Sequence, residues 1–150
     1  MAQTLTRLLV HVVFSTKGRE PLIPPEIEND LYKYLAGISR NHDSPLLAVG
    51  GTADHVHLLV ALSKNVALSA LLMHLKKDSS KWIKTRSPRA RAFAWQEGYG
   101  AFTLGASQVP AATRYIAGQK EHHRRRSFQD ELRTLCRKYD VALDEQHAWT

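Results

Sequence analysis

At 150 residues the chain has the size of one domain with one real core. Twenty-one Lys and Arg against fourteen Asp and Glu leave a net charge of +7 and a pI near 9.8, the balance of a protein that meets a polyanion, with nucleic acid the leading partner. No apolar run approaches the ~18 residues of a spanning helix, the opening MAQTLTRLLVHVVF lacks the layout of a secretion signal, and a lone Cys136 forms no internal disulfide, so a cytoplasmic chain without a membrane partner is expected.

Leu8 to Ser15 alternates, with Leu8, Val10, Val12 and Phe14 on one face, and reads as a strand. After a turn at Lys17-Gly18-Arg19, Pro24 and Pro25 open a helix whose Ile27, Leu31, Tyr34 or Leu35, and Ile38 recur at helical spacing. Glu26 and Glu28 stand in its first turn, where the dipole favours them, and it ends near Asn41. Leu46 to Val49 and His55 to Leu62 read as two strands joined around a Gly50-Gly51 turn into a hairpin. Leu68, Leu71, Leu72, Leu75, Trp82 and Ile83 mark a long amphipathic helix bounded by Pro88, whose other side carries Lys76, Lys77, Lys81, Lys84 and Arg86. Phe93 to Trp95 and Ala101 to Leu104 read as strand pieces, Pro110 starts a third helix, and Phe128 to Lys138 continues it or follows as a fourth. The order β-α-β-β-α-β is the split βαβ arrangement. It predicts one α/β (α+β) domain over residues 1–150, with a ferredoxin-like antiparallel sheet, helices on one face and extra C-terminal helices.

Within that frame the stretch GTADHVHLLV carries chemistry. Residues two apart in a strand share a face, so His55 and His57 present adjacent imidazoles while Val56, Leu58 and Val60 enter the core. Neutral imidazoles ligate divalent metals, and a two-histidine clamp needs oxygen donors to complete its shell. A histidine pair hydrogen-bonded on a wet sheet face is the plainer reading of HxH alone. Asp54 either orients one imidazole or caps the turn. On the third helix, Tyr115 and Gln119 stand four apart, which brings a phenol and an amide oxygen to one face about a turn apart: a nucleophile beside a ligand. Taken singly, they read as an amphipathic helix residue and a surface amide.

Together these segments resemble the small HUH single-tyrosine transposases of insertion sequences, with the REP-associated tyrosine transposases as close relatives. HVVFSTKGREPL, GTADHVHLLV, LKKDSSKWI, WQEGYGAFTLG and RYIAGQKEHHRRRSFQDEL carry the resemblance, in that order, over nearly the whole chain. It implies that His55, His57 and Gln119 bind a divalent metal, Mg or Mn, and that Tyr115 attacks a phosphodiester of single-stranded DNA. The product would be a 5′-phosphotyrosyl link and a free 3′-hydroxyl, without any nucleotide cofactor. It also implies hairpin-containing DNA as substrate and a homodimer as the working form, with Tyr115 serving either its own or its partner's metal site.

The basic residues suit the same partner. Arg124, Arg125 and Arg126 follow the tyrosine helix and read as a phosphate track or as a solvated helix end; Lys76, Lys77 and Lys81, with Ser79 among them, grip a DNA backbone or form a wet helix side. Trp95, Tyr99 and Phe102 stack on bases or pack in the core, and His122 and His123 supplement the metal shell or stay exposed. Two other classes fit part of the pattern. A non-catalytic ferredoxin-like nucleic-acid binder explains the charge and leaves His55, His57 and Gln119 as coincidence. A hydrolytic phosphoesterase or nuclease would cut with water, but the histidine-only esterases use two His-x-Ser/Thr motifs, which this chain lacks.

Overall fold

The structure, a computed structural model, describes residues 2–149. Its centre is a four-stranded antiparallel sheet in the order β2-β3-β1-β4, built from β1 (Leu8–Ser15), β2 (Leu46–Gly51), β3 (His55–Leu62) and β4 (Gly100–Thr103). The ferredoxin-like split βαβ expectation is met: α1 (Glu28–Asn41) and α2 (Leu68–Arg86) cross over one face. Alternation sorts the strands. Val12, Phe14, Val56, Leu58 and Val60 bury against Leu31, Leu35, Leu71, Leu72 and Leu75 of those helices, which is the main core.

The other face is closed by the C-terminal elements α3 (Val109–Ala117), α4 (Gln119–His122) and α5 (Phe128–Lys138). Phe128, Leu132 and Cys136 of α5 recur at helical spacing and pack on Val13 and Phe102. The histidines of β3 therefore lie between sheet and helices, away from water. Among the described residues no helix is long and apolar enough to cross a membrane.

Four local expectations are corrected. Gly50 and Gly51 are the last residues of β2, paired with His57 and Val56, and the turn falls on Thr52–Asp54. The reason is the neighbour above: a Cβ on Gly50 would come within 3.2 Å of the Ile116 carbonyl carbon and 3.3 Å of its Cγ2, so only a glycine lets the main chain of α3 approach the sheet. Phe93 to Trp95 is no strand. Trp95 forms a single bridge to Thr16, because its indole points inward, donating to Ser79 Oγ at 2.9 Å and crossing Phe14 and Phe93 edge-on. The last strand runs from Gly100 to Thr103 rather than Ala101 to Leu104. The third helix breaks at Gly118, whose N–H still donates to Arg114 O, and α4 resumes at Gln119.

Candidate active site

His55 and His57 stand on β3, one of the two inner strands, and both are 0 % exposed. Each ring is held from behind. His55 Nδ1 lies 2.7 Å from Asp54 Oδ1 and 2.9 Å from Thr52 Oγ1, both in the preceding turn; the carboxylate keeps the ring proton on Nδ1 and leaves a lone pair on the inward Nε2. Of the two roles read for Asp54, the orienting one is seen. His57 Nδ1 lies 2.7 Å from Nε2 of His11 on β1. Burial, then the neighbouring His57, pushes His11 down to about 3, so this imidazole is neutral and its Nε2 can accept from His57.

The tyrosine helix sits on this platform through the Gly50 approach. Gln119 Nε2 donates to the Tyr115 carbonyl oxygen at 3.2 Å, which turns its Oε1 toward His55 Nε2, also 3.2 Å away. With the His55 proton on Nδ1, two lone-pair atoms face each other, an arrangement that a cation resolves. The Tyr115 ring lies edge-on to His57 at 5.7 Å and to His11 at 6.0 Å. Its hydroxyl donates to Glu131 Oε2.

Glu131, on the first turn of α5, is the acid at the centre. It is 1 % exposed, and its Oε1 lies 2.8 Å from His57 Nε2, 3.1 Å from His123 Nε2 and 3.6 Å from His55 Nε2. Ligand atoms of His55, His57, His123 and Glu131 all fall within 4.8 Å of one another. His122 Nε2 is buried without a hydrogen-bond partner among the described residues, 3.4 Å from Glu131 Oε2. This donor set, mixed imidazole nitrogen and carboxylate or amide oxygen around an incompletely satisfied centre, fits a divalent cation. Burial opposes the charge of Glu131, but the neighbouring His123 and His57 rings and the Tyr115 hydroxyl outweigh it and hold the carboxyl well below the usual range. Burial, then the hydrogen bond to Glu131, pushes the Tyr115 phenol above its ordinary value, and burial pulls His57 down. A protonated phenol thus faces an ionised carboxylate.

Among the expected site residues the structure brings His55, His57, Tyr115 and Gln119 together, with His122 and His123 beside them. Glu131 and His11 escaped sequence reasoning, although each left a signal: Glu131 interrupts the apolar stripe of Phe128, Leu132 and Cys136, and His11 falls on the same β1 face as Val13. The expected DNA contacts divide. Ser79 is buried, donating to Leu75 O at 2.5 Å, and Lys76 Nζ donates to the carbonyls of Gln96, Glu97 and Gly98 at 2.9, 3.2 and 2.6 Å. Burial pushes that ammonium down to about 8. Both side chains serve the fold. Lys77 and Lys81 are exposed on α2, across the sheet from the histidines. Arg124 pairs with Glu121 at 3.2 Å, Arg125 is exposed, and Arg126 turns to Thr134 and the Asp130 carbonyl beside the site. Trp95 and Phe102 are core residues, Phe102 stacking on Tyr139, while Tyr99 is 39 % exposed.

Comparison with known proteins gives a consistent set. The family model described as "Transposase IS200 like" matches residues 4–119. A protein assigned as a transposase from Deinococcus radiodurans R1 superposes with a TM-score of 0.62 at 21% identity, covering 77% of this chain and 93% of that one. A REP-associated tyrosine transposase bound to a REP hairpin superposes with a TM-score of 0.53 at 12% identity, covering 77% of this chain and 70% of the other. At these identities the likeness is one of fold. No curated protein sequence matches the chain.

Proposed function

The chain belongs to the IS200-like transposase family, and on that footing we propose that it cuts and rejoins single-stranded DNA, hairpin-containing as in the REP relative, with Tyr115 as nucleophile. The observation that carries this reading is the convergence of His55 Nε2 and Gln119 Oε1 at 3.2 Å beside a phenol hydroxyl in contact with Glu131. His55, His57 and Gln119 would hold a divalent cation, Mg or Mn, with His123 and Glu131 as further donors. When bound, such an ion neutralises charge on the phosphoryl oxygens and polarises phosphorus toward attack.

The chain's own groups do the rest. Asp54 and His11 fix the two imidazoles from behind, so that both inward nitrogens keep one orientation. The Tyr115 carbonyl holds the Gln119 amide, which ties nucleophile and ligand to one turn of chain. Tyr115 forms a 5′-phosphotyrosyl link and releases a 3′-hydroxyl; attack by another 3′-hydroxyl reverses the step and rejoins the strand, which keeps the phosphodiester energy and needs no nucleotide cofactor. Because Tyr115 lies beside its own His57, we assign the reaction to a single chain, and a homodimer, if formed in the cytoplasm, would carry two complete sites.

Denaturing electrophoresis after incubation with labelled single-stranded hairpin DNA and Mg or Mn tests this. A covalent protein–DNA band that disappears in Tyr115→Phe is expected. Cleavage that survives Tyr115→Phe would mean a water nucleophile and a hydrolytic nuclease; absence of both band and cleavage in the wild-type chain would leave only a nucleic-acid binder.

A further inference from the structure

Tyr115 borders a second space besides the imidazole cluster. Its side chain lines a cleft of about 370 Å³ between α3 and α5, a volume within the ~300–1,000 Å³ of small-molecule sites. Ala111 and Ala112 stand four and three residues before Tyr115, so their methyls share its side of α3 and keep that wall low. Leu104 and Leu135 make the cleft apolar, and Tyr139 adds an aromatic ring. Phe102 stacks on that ring at 5.0 Å, and the Lys138 ammonium lies 5.4 Å from its centroid. Apolar walls with one aromatic ring suit a planar heterocycle.

The polar groups of the same cleft suit the rest of a nucleotide. Gln108 Oε1 accepts from Gly105 N at 2.8 Å, which fixes the amide and leaves its nitrogen, without a partner among the described residues, as a donor for a base edge. Arg126 turns its guanidinium to neutral oxygens, the Asp130 carbonyl and the Thr134 hydroxyl. Neither Arg126 nor Lys138 forms an ion pair among the described residues, whereas Lys120, Arg124 and Arg133, outside the cleft, each hold a carboxylate. Glu131 also lines the cleft, but both its oxygens are engaged by His57, His123 and the Tyr115 hydroxyl. Two cations thus remain for a phosphate.

We infer that this cleft holds one nucleotide of the cut strand: the one whose 5′ oxygen stays on phosphorus and which remains joined to Tyr115. Its base lies between α3 and the Tyr139 ring, and the phosphate on its 3′ side meets Arg126 and Lys138. The inference rests on the tyrosine-nucleophile reading above. Stereochemistry selects the side. Attacking and leaving oxygens lie in line across phosphorus, so the departing 3′ end points away from the phenolic oxygen, while the cleft begins at the Tyr115 side chain itself. Gln108, Tyr139 and Lys138 are then positioning residues outside the His55, His57, Tyr115 and Gln119 set. They keep the phosphotyrosyl end in place while one 3′-hydroxyl leaves and another arrives.

The test uses hairpin DNA whose cut position has been mapped with the wild-type chain. The strand is remade with an abasic sugar on the 5′-phosphorylated side of the cut and, separately, on the 3′-hydroxyl side, and Tyr115-dependent adduct formation is followed in single turnovers with Mn at subsaturating protein. The first abasic strand is expected to react about 10- to 100-fold more slowly than the intact one, the range of one stacked base. Ala111→Phe, at an exposed position of α3, puts a ring into the cleft. It should slow the intact strand by a similar factor and abolish the penalty of the first abasic strand, while leaving any penalty at the second position as it was. If Ala111→Phe does not fold, the double variant Gln108→Ala/Lys138→Ala, also at exposed positions, takes its place and should slow the intact strand and shrink the same penalty. A first abasic strand that reacts like the intact one overturns the inference, and so does a penalty that the variants leave unchanged. Adduct from every strand at one rate removes only the occupant of the cleft and keeps the nucleophile; no adduct from any strand removes the nucleophile reading and this inference with it.

Discussion

Acid should weaken this fold in a way that can be traced to one buried imidazole. His11 titrates near 6.5 when unfolded and is pushed down to about 3 by burial and by His57. Below pH 6.5 the unfolded chain therefore binds a proton at this position that the folded chain refuses, so stability is lost as pH falls from 6.5 toward about 3. At pH 5 the difference amounts to about 2 kcal/mol relative to pH 8, taking ~1.4 kcal/mol per pH unit. His57 and His122 are also lowered and act with the same sign, and so does the lowered Glu131 below its ordinary value of 4.5; the wild-type curve alone cannot isolate His11. His11→Gln can. Its amide reaches the same depth and can still accept from His57, but it takes no proton in either state. Urea unfolding of metal-free wild type and His11→Gln at about pH 8 and pH 5 should give a pH-dependent loss smaller by about 2 kcal/mol in the variant. Equal losses in the two proteins, or a wild type that gains stability in acid, would refute a neutral His11 and with it the tautomer argued for His57.

Gly50→Ala should cost about 1–3 kcal/mol by overpacking and slow adduct formation up to ~10²-fold by displacing the tyrosine helix, read by thermal unfolding and single-turnover cleavage; a fully active variant would show that α3 does not depend on this approach. Mixing Tyr115→Phe with His57→Ala should give no cleavage, since each tyrosine lies beside its own histidine at 5.7 Å between rings, and recovered activity would mean exchange of helices between copies. Arg125→Ala should lower the salt slope of single-stranded DNA binding by about 0.7, one phosphate contact; titrations at several salt concentrations that give the wild-type slope would assign Arg125 to a solvated helix end.

Periodicity made much of the fold legible. The alternation of Val10, Val12 and Phe14 and the helical spacing of Leu31, Leu35, Leu71, Leu72 and Leu75 follow from burial on one sheet face, and they lie where the pattern puts them. The spacing rules also brought His55 to His57 and Tyr115 to Gln119, because each pair is local. What joins the pairs is not local. Glu131 reaches His57 across 74 positions and His11 reaches it across 46, and no period in the chain encodes which strand or helix closes over which. The same limit explains Gly50-Gly51: a glycine pair between two strands signals a tight turn, but here the missing Cβ serves a helix arriving from another part of the chain. Lys76 and Ser79 read as a wet side because spacing counts helix faces, while the loop carrying Trp95 and Gln96 folds over that face and occupies both.

The strand order has a consequence for motion. In β2-β3-β1-β4 the inner positions belong to β3 and β1, so His55, His57 and His11 all hang from backbone paired on both sides, whereas Gln119 and His122 belong to a four-residue helix and His123 caps its end. Opening free energies should be graded accordingly. Amide hydrogens of β1 and β3 would exchange only with global unfolding, and those of residues 118–127 far sooner. On the proposed reading, a strand of DNA would gain entry by lifting the cover and leave the imidazole bed undisturbed.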